Sequence, residues 1–299
     1  MISCFVVHSL NYYKLYENFL KKRSNKTIAY YLILVWIIAA FLLESSDLWI
    51  SINLYNPDAG WAIFLEKFGE IPGLIVVLTA IHIYVVTLRA SSNIKTILFT
   101  GFLLTTASLI TIYILWALSL AFTNDVIAFN VHRNYFFLTA VLFNIILSII
   151  FRKRYKFSKK AVLFSRISFK MFFYGYIVFV EPLKIFWGRI RFRDLAGNYS
   201  NFSAWYIPQG ITGNDSFPSG HAAMGFMMLA LFVFFTDKPF YKRIIFKGLI
   251  ICWALAVCAS RVVIGAHFAS DVLFGAFIMI ISYLFLINNA NKTLKSGTD

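Results

Sequence analysis

Long apolar runs separated by short polar segments dominate this sequence. A helix that crosses a bilayer needs roughly 20 mostly apolar residues. Stretches that meet or approach this length lie at about 28–44, 72–89, 96–122, 135–151, 167–187, 220–236, 243–261 and 267–287. The pattern therefore predicts an all-α fold, a polytopic integral membrane helix bundle of about eight spans.

The composition agrees with a membrane protein. Of the 299 residues, 60% are hydrophobic and 14% are charged, whereas soluble domains carry about 25% charged residues. The formal net charge is +15, but the basic residues lie in short clusters between apolar runs and do not follow one polar face. We therefore expect the bilayer as a partner and no nucleic acid.

The basic clusters alternate along the chain and predict a topology. They fall before the first predicted span, in alternate connections at 89–95, 152–160 and 238–247, and after the last span. The positive-inside rule makes these segments cytoplasmic, so both termini lie inside. The acidic, Trp- and Tyr-containing segment 45–71 then lies outside, and we interpret it as an interfacial segment with no catalytic role.

Neither the cysteines nor the spacing of possible metal ligands indicates a disulfide framework or a metal site. The chain has three cysteines, of which Cys252 and Cys258 share one apolar run, so a disulfide framework is not expected. No cluster of residues has metal-ligand spacing. We therefore expect neither a metal nor another cofactor.

Three junctions on the predicted outer side carry ionisable residues that are costly near a bilayer. They read KIFWGRIRFRD (184–194), FPSGHAA (217–223) and SRVVIGAHFASD (260–271). Ionisable groups in such places are functional candidates. Because the three junctions are mostly cationic and share one face, they predict a pocket for an anion, and phosphate fits best.

The first junction contains two basic residues, and the second junction contains the start of a helix. A helix continued through Gly188 would keep Lys184 and Arg191 on one face, about 10 Å apart, with side chains that converge on one ligand. Pro218 and Ser219 are typical of a helix start. The N–H groups of Gly220 and His221 would then bind an anion, and the imidazole would supply a proton.

The third junction offers a nucleophile. His267 and Asp271 are spaced i, i+4, so we expect the carboxylate to accept the Nδ1–H and leave Nε2 as a nucleophilic lone pair. Gly265 lets the chain turn, so Arg261 ends one span and His267 begins the next.

These motifs resemble the three-part signature of the type 2 phosphatidic acid phosphatase superfamily, which is K-x6-R-P, then P-S-G-H, then S-R-x5-H-x3-D. Lys184 to Arg191, Pro218 to His221, and Ser260 to Asp271 match its parts in order. One position departs, because Phe192 stands where the signature has proline. That departure leaves the path of the 192–217 loop open.

The resemblance implies a metal-independent lipid phosphatase that forms a phosphohistidine on His267. It implies that Asp271 orients this histidine and that His221 protonates the leaving oxygen. The residues that it implies hold the phosphoryl oxygens are Lys184, Arg191, Ser219, Gly220 and Arg261. Arg189 and Arg193 are further candidates, which would extend the pocket toward a second phosphate or a headgroup.

The resemblance also implies a domain division and a location. We expect an N-terminal tail with two additional spans in 1–94, a six-helix phosphatase core in 95–290, and a polar cytoplasmic tail in 291–299. The site would face the extracytoplasmic side of a bacterial cytoplasmic membrane. Its substrate would be undecaprenyl diphosphate, a glycerophospholipid phosphate or a lipid A phosphate.

Other functions stay open at this point. A lipid hydroxyl in place of water would make the same phosphohistidine enzyme a phosphotransferase, and vanadate in the pocket would make it a haloperoxidase. A transporter would bind phosphate without turnover. The aromatic segment 199–210 fits either a lid over an acyl chain or a membrane anchor.

Overall fold

The computed structural model describes residues 25–88, 93–123, 126–154 and 156–296, and no β-strand occurs within these ranges. The α-helices are α1 (Asn25–Leu54), α2 (Gly60–Phe68), α3 (Ile71–Thr87), α4 (Ile94–Thr123), α5 (Val126–Arg154), α6 (Lys159–Lys170), α7 (Glu181–Trp187), α8 (Gly220–Met227), α9 (Phe240–Val263) and α10 (Ala269–Ser296). A π-helical stretch, Met171–Val180, joins α6 to α7, and a 3₁₀-helical stretch, Met228–Phe235, continues α8.

The helices are those of a polytopic membrane protein. Within the described ranges, 7 helical stretches are long and apolar enough to cross a membrane, and Gly220–Phe235 is a shorter apolar helix. Large apolar side chains such as Leu98, Phe122 and Phe137 are exposed on these helices, as lipid-facing residues are. The predicted all-α polytopic bundle is confirmed, and of its eight predicted spans the one at 220–236 is shorter than a full span.

The chain divides into two compact units after Leu42. The described part of the first unit is residues 25–42, which are helical and rich in exposed apolar side chains. The second unit contains every residue discussed below. It begins at Leu43, in the last three turns of α1.

The segment 45–71 is more regular than the sequence predicted. The structure continues α1 to Leu54 and forms α2 from Gly60 to Phe68. The polar residues of 45–47 favour a loop in isolation, but Asp47 is buried and satisfied by long-range partners. Tertiary contacts therefore override the local preference.

The core of the second unit lies where α3, α6, α8 and α10 meet. Its wholly buried side chains include Val77, Ala80, Ile81, Met171, Ala223, Met224, Met227 and Met279. Small residues such as Ala80 and Ala223 and flexible methionines make up much of this core, and such residues let helices approach closely. The N-terminal turn of α8 is thereby held in a rigid frame.

Two glycines make this close packing possible. A Cβ on Gly73 would lie 2.1 Å from the carbonyl oxygen of Met224, and a Cβ on Gly275 would lie 2.3 Å from that of Ser219. Any other residue at either position would push α8 away from its neighbours. Helix α8 is therefore clamped between α3 and α10 by backbone contact.

A buried polar cluster joins α3 to the two helices that follow it. The ring of His82 contacts Ser148 Oγ at 2.9 Å and Asn144 Oδ1 at 2.8 Å, and Asn144 Nδ2 donates to Thr111 Oγ1 at 3.0 Å. Such bonds between apolar helices favour association, because each polar group would otherwise face hydrocarbon. His82 thus has a structural role.

The position of α3 bears on the domain division predicted at residue 94. This helix belongs to the stretch assigned to additional spans, yet it packs extensively against α6 and α8. Helices α4 and α5, assigned to the core, pack mainly against α3 and against each other. The division into 1–94, 95–290 and 291–299 stays a prediction.

The clamp predicts opposite effects for two glycine-to-alanine substitutions. Gly73→Ala should lower the free energy of unfolding by about 1–3 kcal/mol, because its methyl group meets fixed backbone. The methyl group that Gly101→Ala adds, on α4, has no neighbouring atom within 4 Å. It should raise stability by about 0.5–1 kcal/mol through helix propensity alone. Thermal unfolding in detergent measures both, and a stabilising Gly73→Ala would contradict the clamp.

Candidate active site

The first junction turns sooner than the sequence predicted. Helix α7 ends at Trp187, its C-cap Gly188 has a φ of +59°, and a Cβ there would lie 2.0 Å from the oxygen of Gly210. The helix therefore does not continue to Arg191, which is extended. Lys184 and Arg191 nevertheless converge, because Lys184 Nζ lies 3.7 Å and Arg191 Nη2 lies 2.7 Å from the carboxylate of Asp215.

Phe192 follows Arg191 and fixes the loop by packing. Its ring is buried, stacks on Tyr199 and meets Tyr55 and Phe268 edge to face. Arg191 has a ψ of 151°, the conformation that a residue before proline prefers. Aromatic contacts therefore hold the path that the signature's proline would restrict.

The second junction forms the N-terminus of α8. Ser219 is its N-cap, and the Ser219 Oγ accepts a hydrogen bond from the amide of Ala222 at 3.3 Å. A Cβ on Gly220 would lie 3.5 Å from Lys184 Nζ. The positive end of the helix and the ammonium group therefore meet at one point, which favours an anion.

The third junction is a tight turn between α9 and α10. Arg261 lies in the last turn of α9, and its carbonyl oxygen accepts hydrogen bonds from the amides of Ala266 and His267 at 3.0 and 3.1 Å. Gly265, with a φ of 68°, makes the turn. The structure thus brings His267 back beside Arg261, and both side chains are buried.

The carbonyl oxygen of Ser216 fixes the tautomer of His267. Nδ1 lies 2.6 Å from this oxygen. A carbonyl accepts hydrogen bonds and cannot donate them, so Nδ1 carries the proton and Nε2 has the lone pair. Within the described residues the hydrogen bond of the ring is made at Nδ1, so the lone pair of Nε2 is not engaged by them.

The prediction that Asp271 accepts this proton directly is wrong. The nearest distance from its Oδ2 to His267 Nδ1 is 3.9 Å. The Oδ2 atom instead accepts from Ser216 Oγ at 2.6 Å and from the amide of Phe268 at 2.8 Å. Asp271 therefore positions the histidine indirectly, by holding the two segments on either side of it.

The surroundings of His267 keep its imidazole neutral. Burial lowers its pKa well below the ordinary value, and the nearby positive charges of Arg261, Lys184 and Arg191 act in the same direction. At neutral pH the ring is unprotonated, which is the form a nucleophile needs.

Arg189 does not extend the anion pocket, contrary to the prediction. Its side chain is 1% exposed and lies between two carboxylates. Nη1 donates to Asp271 Oδ1 at 2.6 Å, and Nη2 donates to Asp47 Oδ2 at 2.9 Å. The guanidinium also lies over the Phe268 ring, 4.0 Å from its centroid. The positive charge of Arg189 therefore pairs with these two buried carboxylates in a structural network.

Asp47 is a residue that sequence reasoning missed. It comes from α1, and its Oδ1 accepts a hydrogen bond from the amide of Ser270 at 2.9 Å. The Asp47 carboxylate also accepts bonds from the Ser270 hydroxyl and from Arg189. A carboxylate inside an apolar helical run is a functional signal by itself, and the assignment of 45–71 to an interfacial loop hid it.

Arg261 carries buried donors that the protein does not satisfy. Its side chain is 3% exposed and reaches Glu66 Oε1 through Nη2 at 3.4 Å. Nε and Nη1 are buried without a hydrogen-bond partner in the described part of the chain, as is Nε of Arg191. Buried donors of this kind are costly, and phosphoryl oxygens would pair with them.

His221 is held by two glutamates that the sequence did not predict at the site. Its Nε2 lies 3.1 Å from the carbonyl oxygen of Glu66, and its Nδ1 lies 3.6 Å from Glu70 Oε2. Both glutamates belong to the 45–71 segment, to which no catalytic role was assigned. Arg193, a predicted extension of the pocket, pairs with Glu66 at 3.0 Å.

The aromatic segment 199–210 packs over the N-terminal end of α10. Trp205 and Phe217 both lie against Phe274, and the Trp205 carbonyl accepts a hydrogen bond from Trp187 Nε1 at 2.6 Å. Tyr206 is exposed beside these rings. The segment therefore forms an aromatic cover beside the charged site.

The assembled arrangement suits anion binding and transfer of a group to nitrogen. It combines a neutral imidazole, a second imidazole, two arginines, a lysine and a helix N-terminus. Within the described residues, no group of three or more His, Cys, Asp or Glu side chains is placed to hold a metal ion.

Comparisons with known proteins give one match. The model of the PAP2 superfamily matches residues 167–294, a range that includes all three junctions. Comparison with curated proteins and with solved structures gives no match.

The buried network predicts a large stability difference between two arginines. Arg189→Met leaves Asp47 and Asp271 buried without their cation, so it should lower the free energy of unfolding by about 3–5 kcal/mol. Arg193→Met removes a partly exposed pair with Glu66 and should cost about 0–1 kcal/mol. Denaturant unfolding in detergent compares the two, and equal losses would show that the Arg189 network is not special.

Proposed function

Because residues 167–294 place this membrane protein in the PAP2 superfamily, a family of phosphatases, we propose that it hydrolyses a lipid phosphate or diphosphate through a phosphohistidine on His267. The observation that carries the proposal is the fixed tautomer of His267, with a neutral ring and an Nε2 atom that the described residues do not engage. That atom is the nucleophile.

In the first step, the lone pair of His267 Nε2 forms a bond to phosphorus, and the bond from phosphorus to the leaving oxygen breaks. His221 passes a proton to that oxygen. In the second step, water attacks the phosphohistidine, the phosphorus–nitrogen bond breaks, and His221 takes a proton from the water. The histidines and the free enzyme are thereby regenerated.

The cations and the helix start hold the phosphoryl oxygens. Lys184, Arg191 and Arg261 supply positive charge, and the buried donors of Arg261 suit the charge that develops in the transition state. The Ser219 hydroxyl and the Gly220 amide lie at the N-cap and first turn of α8. Asp271 acts as a positioning residue through Ser216.

A lipid substrate fits the place of the site in the bundle. The cationic groups lie at the ends of apolar helices, beside the aromatic segment 199–210. A headgroup phosphate would bind there while its chains stay in the bilayer. We assign the site to the extracytoplasmic face of a bacterial cytoplasmic membrane, with both termini cytoplasmic, from the alternation of basic clusters.

Phosphate release tests the proposal directly. Purified protein in detergent and EDTA should release inorganic phosphate from at least one member of a panel: undecaprenyl diphosphate, phosphatidylglycerol phosphate, phosphatidic acid and lipid A. His267→Ala should abolish release, and His221→Ala should reduce it by roughly 10²–10⁴-fold. Vanadate should inhibit, since it mimics five-coordinate phosphorus.

Three experiments separate hydrolysis through a phosphohistidine from the alternative mechanisms and functions. A folded His267→Ala protein with full activity would exclude the phosphohistidine. Radiolabelled phosphate that moves to a lipid hydroxyl would make the protein a phosphotransferase. Saturable phosphate flux in proteoliposomes without hydrolysis would make it a transporter.

The state of His267 also predicts the pH dependence. The nucleophile must be unprotonated, and its pKa lies well below the ordinary value of 6.5. Activity is therefore retained as the pH falls through 6.5 and is lost only below it. In a profile of kcat/KM against pH, the limb assigned to His267 should lie below pH 6.5. A limb at or above that value would contradict the buried, neutral imidazole.

A further inference from the structure

A second carboxylate beside the catalytic histidines lies outside the family-matched range. Glu70, between α2 and α3, is 6% exposed, and its Oε2 lies 3.6 Å from His221 Nδ1. We propose that Glu70 is the positioning residue for His221 and holds it in the doubly protonated form that acts as the acid. This inference rests on the proposed function.

The hydrogen bonds of His221 define which proton it delivers. Nε2 lies 3.1 Å from the carbonyl oxygen of Glu66, so Nε2 carries a proton. The carboxylate beside Nδ1 favours a proton on that atom too. A leaving oxygen that takes the Nε2 proton must displace the Glu66 carbonyl from it, while the Nδ1 proton stays toward Glu70.

The need for a carboxylate follows from the charges that face the ring. The groups near His221 are Arg261, Lys184, Arg191, His267, the backbone of Glu66 and Glu70. Burial and these three cations lower the pKa of His221 well below its ordinary value, so they oppose the positive imidazole that a general acid needs. Glu70 is the carboxylate that faces Nδ1, so it offsets them at the atom where the second proton resides.

Neighbouring helices hold Glu70 in place. The hydroxyl of Tyr113, on α4, donates to Glu70 Oε1, which leaves Oε2 toward the histidine. Tyr176 and Glu181, from the π-helical stretch and α7, lie near the same carboxylate. Glu70 is therefore fixed by rigid elements on several sides, as a group that positions a catalytic residue must be.

Leaving-group dependence tests the role of Glu70. Glu70→Gln removes the charge but keeps an acceptor for Tyr113. Hexadecyl phosphate has a poor alkoxide leaving group that needs a proton, whereas 4-nitrophenyl phosphate has a good one that does not. Glu70→Gln should lower kcat/KM by about tenfold or more for the alkyl ester, within the roughly 10²–10⁴-fold contribution of a general acid. The aryl ester should lose less than threefold, by the same reasoning.

The pH profile gives a second readout. A general acid must be protonated, so activity on the alkyl ester falls as the pH rises through its pKa. Loss of the carboxylate should move this basic limb to lower pH. Asp58→Asn, an exposed carboxylate in the same segment, is the matched control and should leave the limb and both rates unchanged.

Failure of this inference is distinguishable from failure of the proposed function. Acid-labile phosphohistidine trapped on wild type with 4-nitrophenyl phosphate, and absent in His267→Ala, tests the function alone. Given that result, equal losses on both esters, or an unmoved basic limb, would overturn the role of Glu70.

A second variant covers the case in which Glu70→Gln does not fold. Tyr113→Phe keeps the carboxylate but removes the hydroxyl that holds it. Size-exclusion profiles and thermal unfolding establish which variants fold. Tyr113→Phe should slow the alkyl ester more than the aryl ester, and an equal effect on both would overturn the proposal.

Discussion

The structure depends on one buried guanidinium. Arg189 lies between Asp47 of α1 and Asp271 of α10, away from water, and all three charges lose hydration. Such a cost is offset only when the geometry supplies several short hydrogen bonds. Those bonds join the end of α1, the loop after α7 and the start of α10. Since Asp271 also holds Ser216, the orientation of His267 rests on this contact.

The apolar core gives this charged layer a fixed base. Gly73 and Gly275 let α3 and α10 touch the backbone of α8 at Met224 and Ser219. The N-terminal turn of α8, which carries Gly220 and His221, is therefore set by helix packing and not by a mobile loop. The nucleophile and acid proposed for this site would gain from such rigidity, because small displacements slow group transfer markedly.

The sequence predicted the helices and the residues of the three junctions, because membrane spans and short motifs are local signals. Long-range contacts leave no local signal, and the sequence did not predict them. The spacing of Lys184 and Arg191 predicted one helix, yet Gly188 breaks it and the two meet at Asp215. Asp47 and Glu70 looked like interfacial acids, since nothing in their neighbourhood reveals partners more than a hundred residues away.

The pairing of Asp215 with Lys184 and Arg191 has a consequence for selectivity. An anion that enters must replace a carboxylate that is tethered in the chain and therefore present at high effective concentration. A phosphodiester headgroup, the commonest anion of a bilayer, offers one negative charge and gains little by this exchange. A terminal phosphate carries up to two negative charges and therefore gains more by this exchange. On the proposed function, the resident carboxylate would therefore favour a terminal phosphate over the phosphodiester lipids that surround the site.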